Sequence, residues 1–264
     1  MQFTKMQGLG NDYLYVWGEV PDRIEEICTK LSDRHFGAGS DGMVYISPSD
    51  TADFRMRIFN ADGSEAKMCG NGIRCVGKYV YDKGYTDKTC LTVETLSGLR
   101  RLKMHLAAGK VRSVSVDMGK AKVSEERTLT ADGKPFVGIP VSVGNPHFVI
   151  FVDDAEKAPL RSAGPIIEKH PSFDGGVNVE FVQVIEPDTI RMRVWERGSG
   201  VTMACGTGAC AAAAAAVKCG FCSFNEPIRV ILDGGKLEIT VSADYEITMT
   251  GPAETVYEGE TALC

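Results

Sequence analysis

The chain has 264 residues, 44% of them apolar and 24% charged, which is enough to bury a sizeable core and to divide into two lobes. Its formal net charge is -6, with 29 Lys and Arg against 35 Asp and Glu and no basic cluster, which argues against a nucleic-acid partner, so small molecules or proteins are expected instead. The opening Met1-Gln2-Phe3-Thr4-Lys5 has no apolar targeting stretch, and no segment approaches the ~18 consecutive apolar residues of a membrane span, so a cytoplasmic protein without a membrane partner is expected.

In chain order, the first clear strand signal is Phe54 to Phe59. Cys69 then precedes the glycine-containing turn Gly70-Asn71-Gly72, after which Ile73, Val76 and Val80 recur at helical spacing towards a stop at Gly84. Strand patterns follow at Leu91 to Thr95, Leu99 to His105, Val111 to Met118, Phe148 to Val152, Asn178 to Ile185 and Thr189 to Glu196. Cys205 precedes a second turn, Gly206-Thr207-Gly208, and the Ala-rich run Ala209 to Lys218 predicts a helix ending at Gly220. Such small side chains all round suggest a helix buried and closely approached on every face. Strands at Ile228 to Leu232, Leu237 to Ser242 and Glu246 to Gly251 close the series, with glycine turns at 174–176 and 233–235.

These elements predict an α+β protein of two pseudo-symmetric lobes, each a curved mixed β-sheet, barrel-like, around one central helix. The expected lobes are residues 1–115, carrying Cys69, and 116–252, carrying Cys205, with the tail 253–264 returning to the first. Both cysteines open the same pattern, Cys-Gly-polar-Gly before a helix, once in each lobe.

A cysteine at that place lies beside the positive end of the helix dipole and beside backbone N–H groups that the helix does not use. Helix N-termini bring a thiol down from its usual pKa of ~8.5 towards neutrality, where it can serve as acid or base. The N–H groups can hold a carboxylate, and the glycines let a ligand approach the backbone. One such site suggests a nucleophile. Two suggest proton carriers on opposite faces of one carbon, which is stereoinversion without a cofactor. Nine cysteines in a reducing compartment are otherwise thiols that pack as small hydrophobes, and Cys28, Cys75, Cys90, Cys210, Cys219, Cys222 and Cys264 are read so. The spacings Cys69 to Cys75 and Cys205 to Cys210 lack the paired pattern of structural zinc, so no metal site is expected.

Several segments resemble the diaminopimelate epimerase family, in the same order along the chain: 5–13 (KMQGLGNDY), 60–75 (NADGSEAKMCGNGIRC), 144–148 (GNPHF), 177–181 (VNVEF) and 195–208 (WERGSGVTMACGTG). The resemblance implies that family's fold and the interconversion of LL- and meso-2,6-diaminopimelate, in lysine biosynthesis and peptidoglycan precursor supply. It implies Cys69 and Cys205 as the acid and base pair, with His147 and Glu196 near them. It further implies that Gly70, Asn71, Gly206 and Thr207 cradle the reacting carboxylate, and that Asn11, Asn60, Asn145, Asn178, Glu196 and Arg197 bind substrate. No cofactor is implied, and relatives suggest a homodimer. The chain departs at Gly42, where some members have Gln.

Two other readings compete. A proline or hydroxyproline racemase shares the fold and the two Cys-Gly loops, but its smaller substrate leaves the Asn and Arg set unexplained. A non-catalytic amino-acid-binding or redox-sensing protein would bind ligand or form a disulfide without exchanging the Cα proton.

Overall fold

The computed structural model describes residues 1–263, so the expectation for Cys264 lies outside the described residues. The chain forms two compact units, Met1–Asp117 with Gly251–Cys264, and Met118–Thr250. The first unit begins with β1 (Gln2–Gly8), β2 (Asn11–Trp17), α1 (Ile24–Ser32), β3 (Gly42–Ser47), β4 (Phe54–Asn60) and β5 (Glu65–Ala66). It continues through α2 (Gly70–Asp82), β6 (Cys90–Thr95), β7 (Gly98–Ala107) and β8 (Lys110–Lys120). The second unit holds β9 (Lys122–Val123), β10 (Arg127–Ala131), β11 (Lys134–Ser142), β12 (Pro146–Phe151), α3 (Leu160–Glu168), β13 (Asn178–Glu186) and β14 (Thr189–Glu196). After these come β15 (Gly200–Val201), α4 (Gly206–Lys218), β16 (Pro227–Leu232), β17 (Gly235–Val241) and β18 (Glu246–Pro252), and β19 (Glu254–Glu260) returns to the first unit.

The two units repeat one topology. In the first, β1 and β2 are antiparallel, β2 and β3 parallel across α1, β3 and β4 antiparallel, and β4 and β6 parallel across α2. In the second, β11 and β12 are antiparallel, β12 and β13 parallel across α3, β13 and β14 antiparallel, and β14 and β16 parallel across α4. A parallel pair needs a long crossover, and in each unit the second crossover is the helix that follows the cysteine. The sheets are mixed and the class is α+β, as the sequence pattern predicts.

Register makes the repeat quantitative. Gly42 faces Asn60 across β3 and β4, and Val179 facing Trp195 puts Asn178 opposite Glu196 across β13 and β14. Gly42 and Asn178 therefore hold the same place, as do Asn60 and Glu196. The parallel pairs extend the equivalence: Leu14 beside Met43 matches Phe148 beside Val179, so Tyr13 stands where His147 does and Val44 where Glu180 does.

In the first unit α2 packs on β1, β2 and β7 with Ile73, Cys75, Val76 and Val80 fully buried, while α1 seals a second cluster of Leu14, Ile27, Leu31, Met43 and Phe59. In the second, α4 packs on β11 to β14, β16 and β17, and Ala209 and Ala211 to Ala216 are wholly inaccessible. A helix touched by so many strands has room for little more than methyl groups along most of its length, which is why the best helix former fills it. No helix among the described residues is long and apolar enough to cross a membrane.

Gly42 has a structural reason. Its φ is +151°, and a Cβ there would stand 1.9 Å from the carbonyl oxygen of Phe59. A glutamine side chain at this position has no place to start, so the strand opening at 42 offers only backbone.

Candidate active site

In each unit the cysteine is the N-cap of the crossover helix. Cys69 is extended (φ -133°, ψ 119°) and its Sγ accepts from the N–H of Gly72 at 3.4 Å. Cys205 is likewise extended (φ -112°, ψ 110°) and accepts from the N–H of Gly208 at 3.3 Å. The two helices stop as predicted, with Gly84 (φ +79°) and Gly220 (φ +74°) donating back to Tyr81 and Val217. Gly70 with Asn71, and Gly206 with Thr207, form the first helical turns, whose N–H groups lie outside the intrahelical ladder.

Around Cys69 the first unit assembles Asn11 and Tyr13 from β2. The thiol donates to Asn11 Oδ1 at 3.2 Å, and the amide of Asn11 donates to Asp41 Oδ2 at 2.8 Å. Burial and the neighbouring Cys69 push the Tyr13 phenol well above its ordinary range, so it stays protonated beside the thiol. Asn60 ends β4, and its amide donates to Ser64 rather than to the cysteine.

Around Cys205 the second unit is richer in charge. His147 on β12 lies between Glu180 on β13, with Nδ1 2.6 Å from Oε1, and Asn145, with Nε2 3.0 Å from Oδ1. Asn145 donates to the Thr207 hydroxyl at 3.2 Å, and that hydroxyl lies 3.5 Å from Cys205 Sγ. Glu196, at the end of β14, accepts from the Thr202 hydroxyl, and its carboxylate lies close enough to Cys205 to act on the thiol electrostatically. Asn178 receives the backbone N–H of Arg197 at 2.8 Å, and the Arg197 guanidinium donates to Gly175 O at 2.8 Å.

The electrostatics of Cys205 differ from the sequence expectation. Burial pushes its thiol well above the ordinary value, the carboxylates of Glu196 and Glu180 push the same way, and the Thr207 hydroxyl and Gly208 N–H pull only weakly against them. The helix terminus is present, but desolvation outweighs it, and the group is a thiol rather than a poised thiolate. Burial raises Glu196 as well. Thiol and carboxylate thus stand side by side, and the carboxylate favours the protonated form of the thiol.

Tyr13, Asp41, Glu180 and Thr202 join the sites without having been singled out in the sequence. Tyr13, Glu180 and Thr202 lie inside the matched motifs, but nothing in their type or spacing marks them. Of the remaining cysteines, Cys28, Cys75, Cys210 and Cys222 are buried, and burial pushes Cys75 up to about 11, whereas Cys90 and Cys219 are exposed rather than packed. Among the described residues no group of three or more His, Cys, Asp or Glu stands together as a metal site.

The diaminopimelate epimerase family model matches residues 3–124 and 139–256. A diaminopimelate epimerase from Phocaeicola vulgatus is 51% identical over 282 residues, covering 100% of this chain and 99% of its own, and one from Methanococcus maripaludis is 49% identical over 277 residues, covering 98% and 99%. Among solved structures, a hydroxyproline epimerase from Agrobacterium vitis superimposes with a TM-score of 0.74 at 18% identity, over 99% of this chain and 90% of that one, which shows a shared fold.

Proposed function

The chain belongs to the diaminopimelate epimerase family, and from that premise we propose that it interconverts LL- and meso-2,6-diaminopimelate with two thiols and no cofactor. The observation that carries the reading is the doubled N-cap: one topology, used twice, sets a cysteine at the mouth of a crossover helix in each unit. One cysteine, as thiolate, takes the Cα proton from one face, and the other, as thiol, gives a proton to the opposite face. The negative charge that builds on the substrate carboxylate meets the first-turn N–H groups at Gly70, Asn71, Gly206 and Thr207. Glu196 accepts the Cys205 proton when that residue must become the base, and His147 acts beside it. In the first unit the neutral amide of Asn11 and the protonated Tyr13 surround Cys69, so the two carriers are tuned by different chemistry.

Asn60, Asn145, Asn178 and Arg197 read the far amino-acid group. An Asn amide both donates and accepts, as an ammonium and a carboxylate together require, and the Arg197 fork suits a carboxylate. This favours diaminopimelate over proline, which has no distal group to read. Each lobe supplies one proton carrier, and the working form is a cytoplasmic homodimer with a small-molecule substrate and no nucleic-acid or membrane partner. A sedimentation profile of a single monomeric species at assay concentration would remove the dimer.

The decisive test is proton exchange. Purified protein in heavy water, with reductant and no added cofactor, is expected to put deuterium at the inverted centre of LL-diaminopimelate from the earliest turnovers, while recovered LL substrate stays protiated. Ligand binding without exchange would leave a binding protein, and exchange on proline in preference to diaminopimelate would leave a racemase.

A further inference from the structure

Glu180 is a charged side chain beside Cys205 that the mechanism above does not use. It lies on β13, its side chain and that of His147 are both wholly inaccessible, and its Oε2 is buried without a hydrogen-bond partner. An acidic group in such a place is costly unless a positive charge stands against it. The ion-pair partner present is His147, at 2.6 Å.

The order of donors follows from what each atom can do. Nδ1 of His147 faces a carboxylate oxygen, so it carries a proton. Nε2 faces the amide oxygen of Asn145 at 3.0 Å, so it carries one too. Asn145 then offers its NH₂ to the Thr207 oxygen at 3.2 Å, which occupies that hydroxyl as an acceptor and leaves its own O–H to point elsewhere. Cys205 Sγ lies 3.5 Å away. The row thus leaves the Thr207 O–H free to donate to the sulfur.

The repeat supplies an independent argument. The same two places in the first unit hold Tyr13 and Val44, so the fold builds this corner without an ion pair. The pair belongs to the Cys205 half specifically. A second close approach agrees: a Cβ on Gly208 would stand 2.9 Å from Glu180 Oε1 and 3.2 Å from Cys205 Sγ, so the glycine leaves carboxylate and thiol sharing one small volume. An uncompensated carboxylate there would oppose a thiolate, and the coulombic effect of Glu180 on Cys205 has that sign.

We infer that Glu180 is a positioning residue, whose carboxylate holds His147 protonated on both ring nitrogens and so turns the Asn145 amide and the Thr207 hydroxyl to donate towards Cys205. This rests on reading Cys205 as a proton carrier.

The test is nitrogen NMR on protein labelled with ¹⁵N in histidine, together with steady-state kinetics of Glu180→Gln and Glu180→Asp. In the unmodified protein at neutral pH both His147 nitrogens should show protonated shifts. In Glu180→Gln the ring should become neutral with one bare nitrogen, and kcat should fall about 10²-fold, since the donors at the sulfur lose their orientation. Glu180→Asp should restore the doubly protonated ring and part of kcat. A neutral His147 in the unmodified protein overturns the inference without any variant, so a Glu180→Gln protein that fails to fold leaves the test intact. A folded Glu180→Gln protein with parental kcat overturns it as well. Because the ring signal needs no turnover, absence of diaminopimelate epimerisation would remove the proposed function and leave the charge state of His147 to be read separately.

Discussion

Cys205→Ser is expected to fold as well as the parent and to lose epimerisation by roughly 10²–10⁴-fold, the range over which a positioned acid or base acts. The Cys205 sulfur has two duties. As N-cap, Sγ accepts the Gly208 N–H, and a serine oxygen does that at least as well, because Ser is among the preferred caps. As proton carrier, a hydroxyl is a far weaker acid than a thiol, and its proton cannot be drawn off by Glu196 at neutral pH. Cys69→Ser should behave alike for the same reason at Gly72. Thermal melting and turnover on LL-diaminopimelate, measured on the same samples, check both halves. A serine variant at either position that turns over within tenfold of the parent would withdraw the assignment of that cysteine, and a variant that melts early would show that the thiol is there for packing.

Gly208→Ala is the second large effect expected, and its counterpart Gly72→Ala is the control. At 208 the new methyl would lie 2.9 Å from Glu180 Oε1 and 3.2 Å from both Cβ and Sγ of Cys205, a place where no carbon fits unless the sulfur or the carboxylate moves. Misplacing a reacting group by about 1 Å costs ~10²-fold, and that loss is expected here in kcat. At 72 the nearest atoms are Met56 Cε at 3.4 Å, Cys69 Cβ at 3.5 Å and Ile58 Cδ1 at 3.6 Å, ordinary contacts, so a much smaller loss is expected. Both variants gain helix propensity, up to ~1 kcal/mol for Ala over Gly within a helix, so neither should unfold. Equal losses at 72 and 208, measured in one assay, would mean that the carboxylate beside Cys205 is not what distinguishes the two halves.

The parts of this molecule legible in its sequence are those written locally. Cys-Gly-polar-Gly followed by helical spacing gave both N-caps and both crossover helices, because a cap, a first turn and a glycine stop are set by neighbours a few residues away. Strands such as Thr189–Glu196 were legible for the same reason. Helix α3 was not. It contains Gly164 and Pro165, the two worst helix formers, and it holds its shape because it presses on β13 and β14 so closely that a Cβ at 164 would meet Trp195 at 2.8 Å. Tertiary packing there overrides propensity. The state of Cys205 was hidden likewise. Its helix end is local, but Glu180 and Glu196 arrive from strands β13 and β14, and the burial that raises the thiol is made by the whole unit. The exposed Cys90 and Cys219 could not be told from buried ones by residue type.

The chain leaves the first unit at Asp117 and re-enters it at Gly251, so one strand partner of β1 is made last. β1 pairs with β2 at once, through a tight turn at Leu9 and Gly10, but its other edge waits for β19, where Gln2 meets Glu260 and the N-terminal ammonium meets the Thr261 carbonyl at 2.6 Å. In polymer terms this is the longest ring the chain closes. Yet ring entropy grows only as the logarithm of length, about 0.6 kcal/mol for each doubling, and a second unit that has already collapsed replaces a long coil by a compact body. The continuous unit therefore acts on the discontinuous one as a cross-link would, by thinning out the open states available to its two ends before they meet.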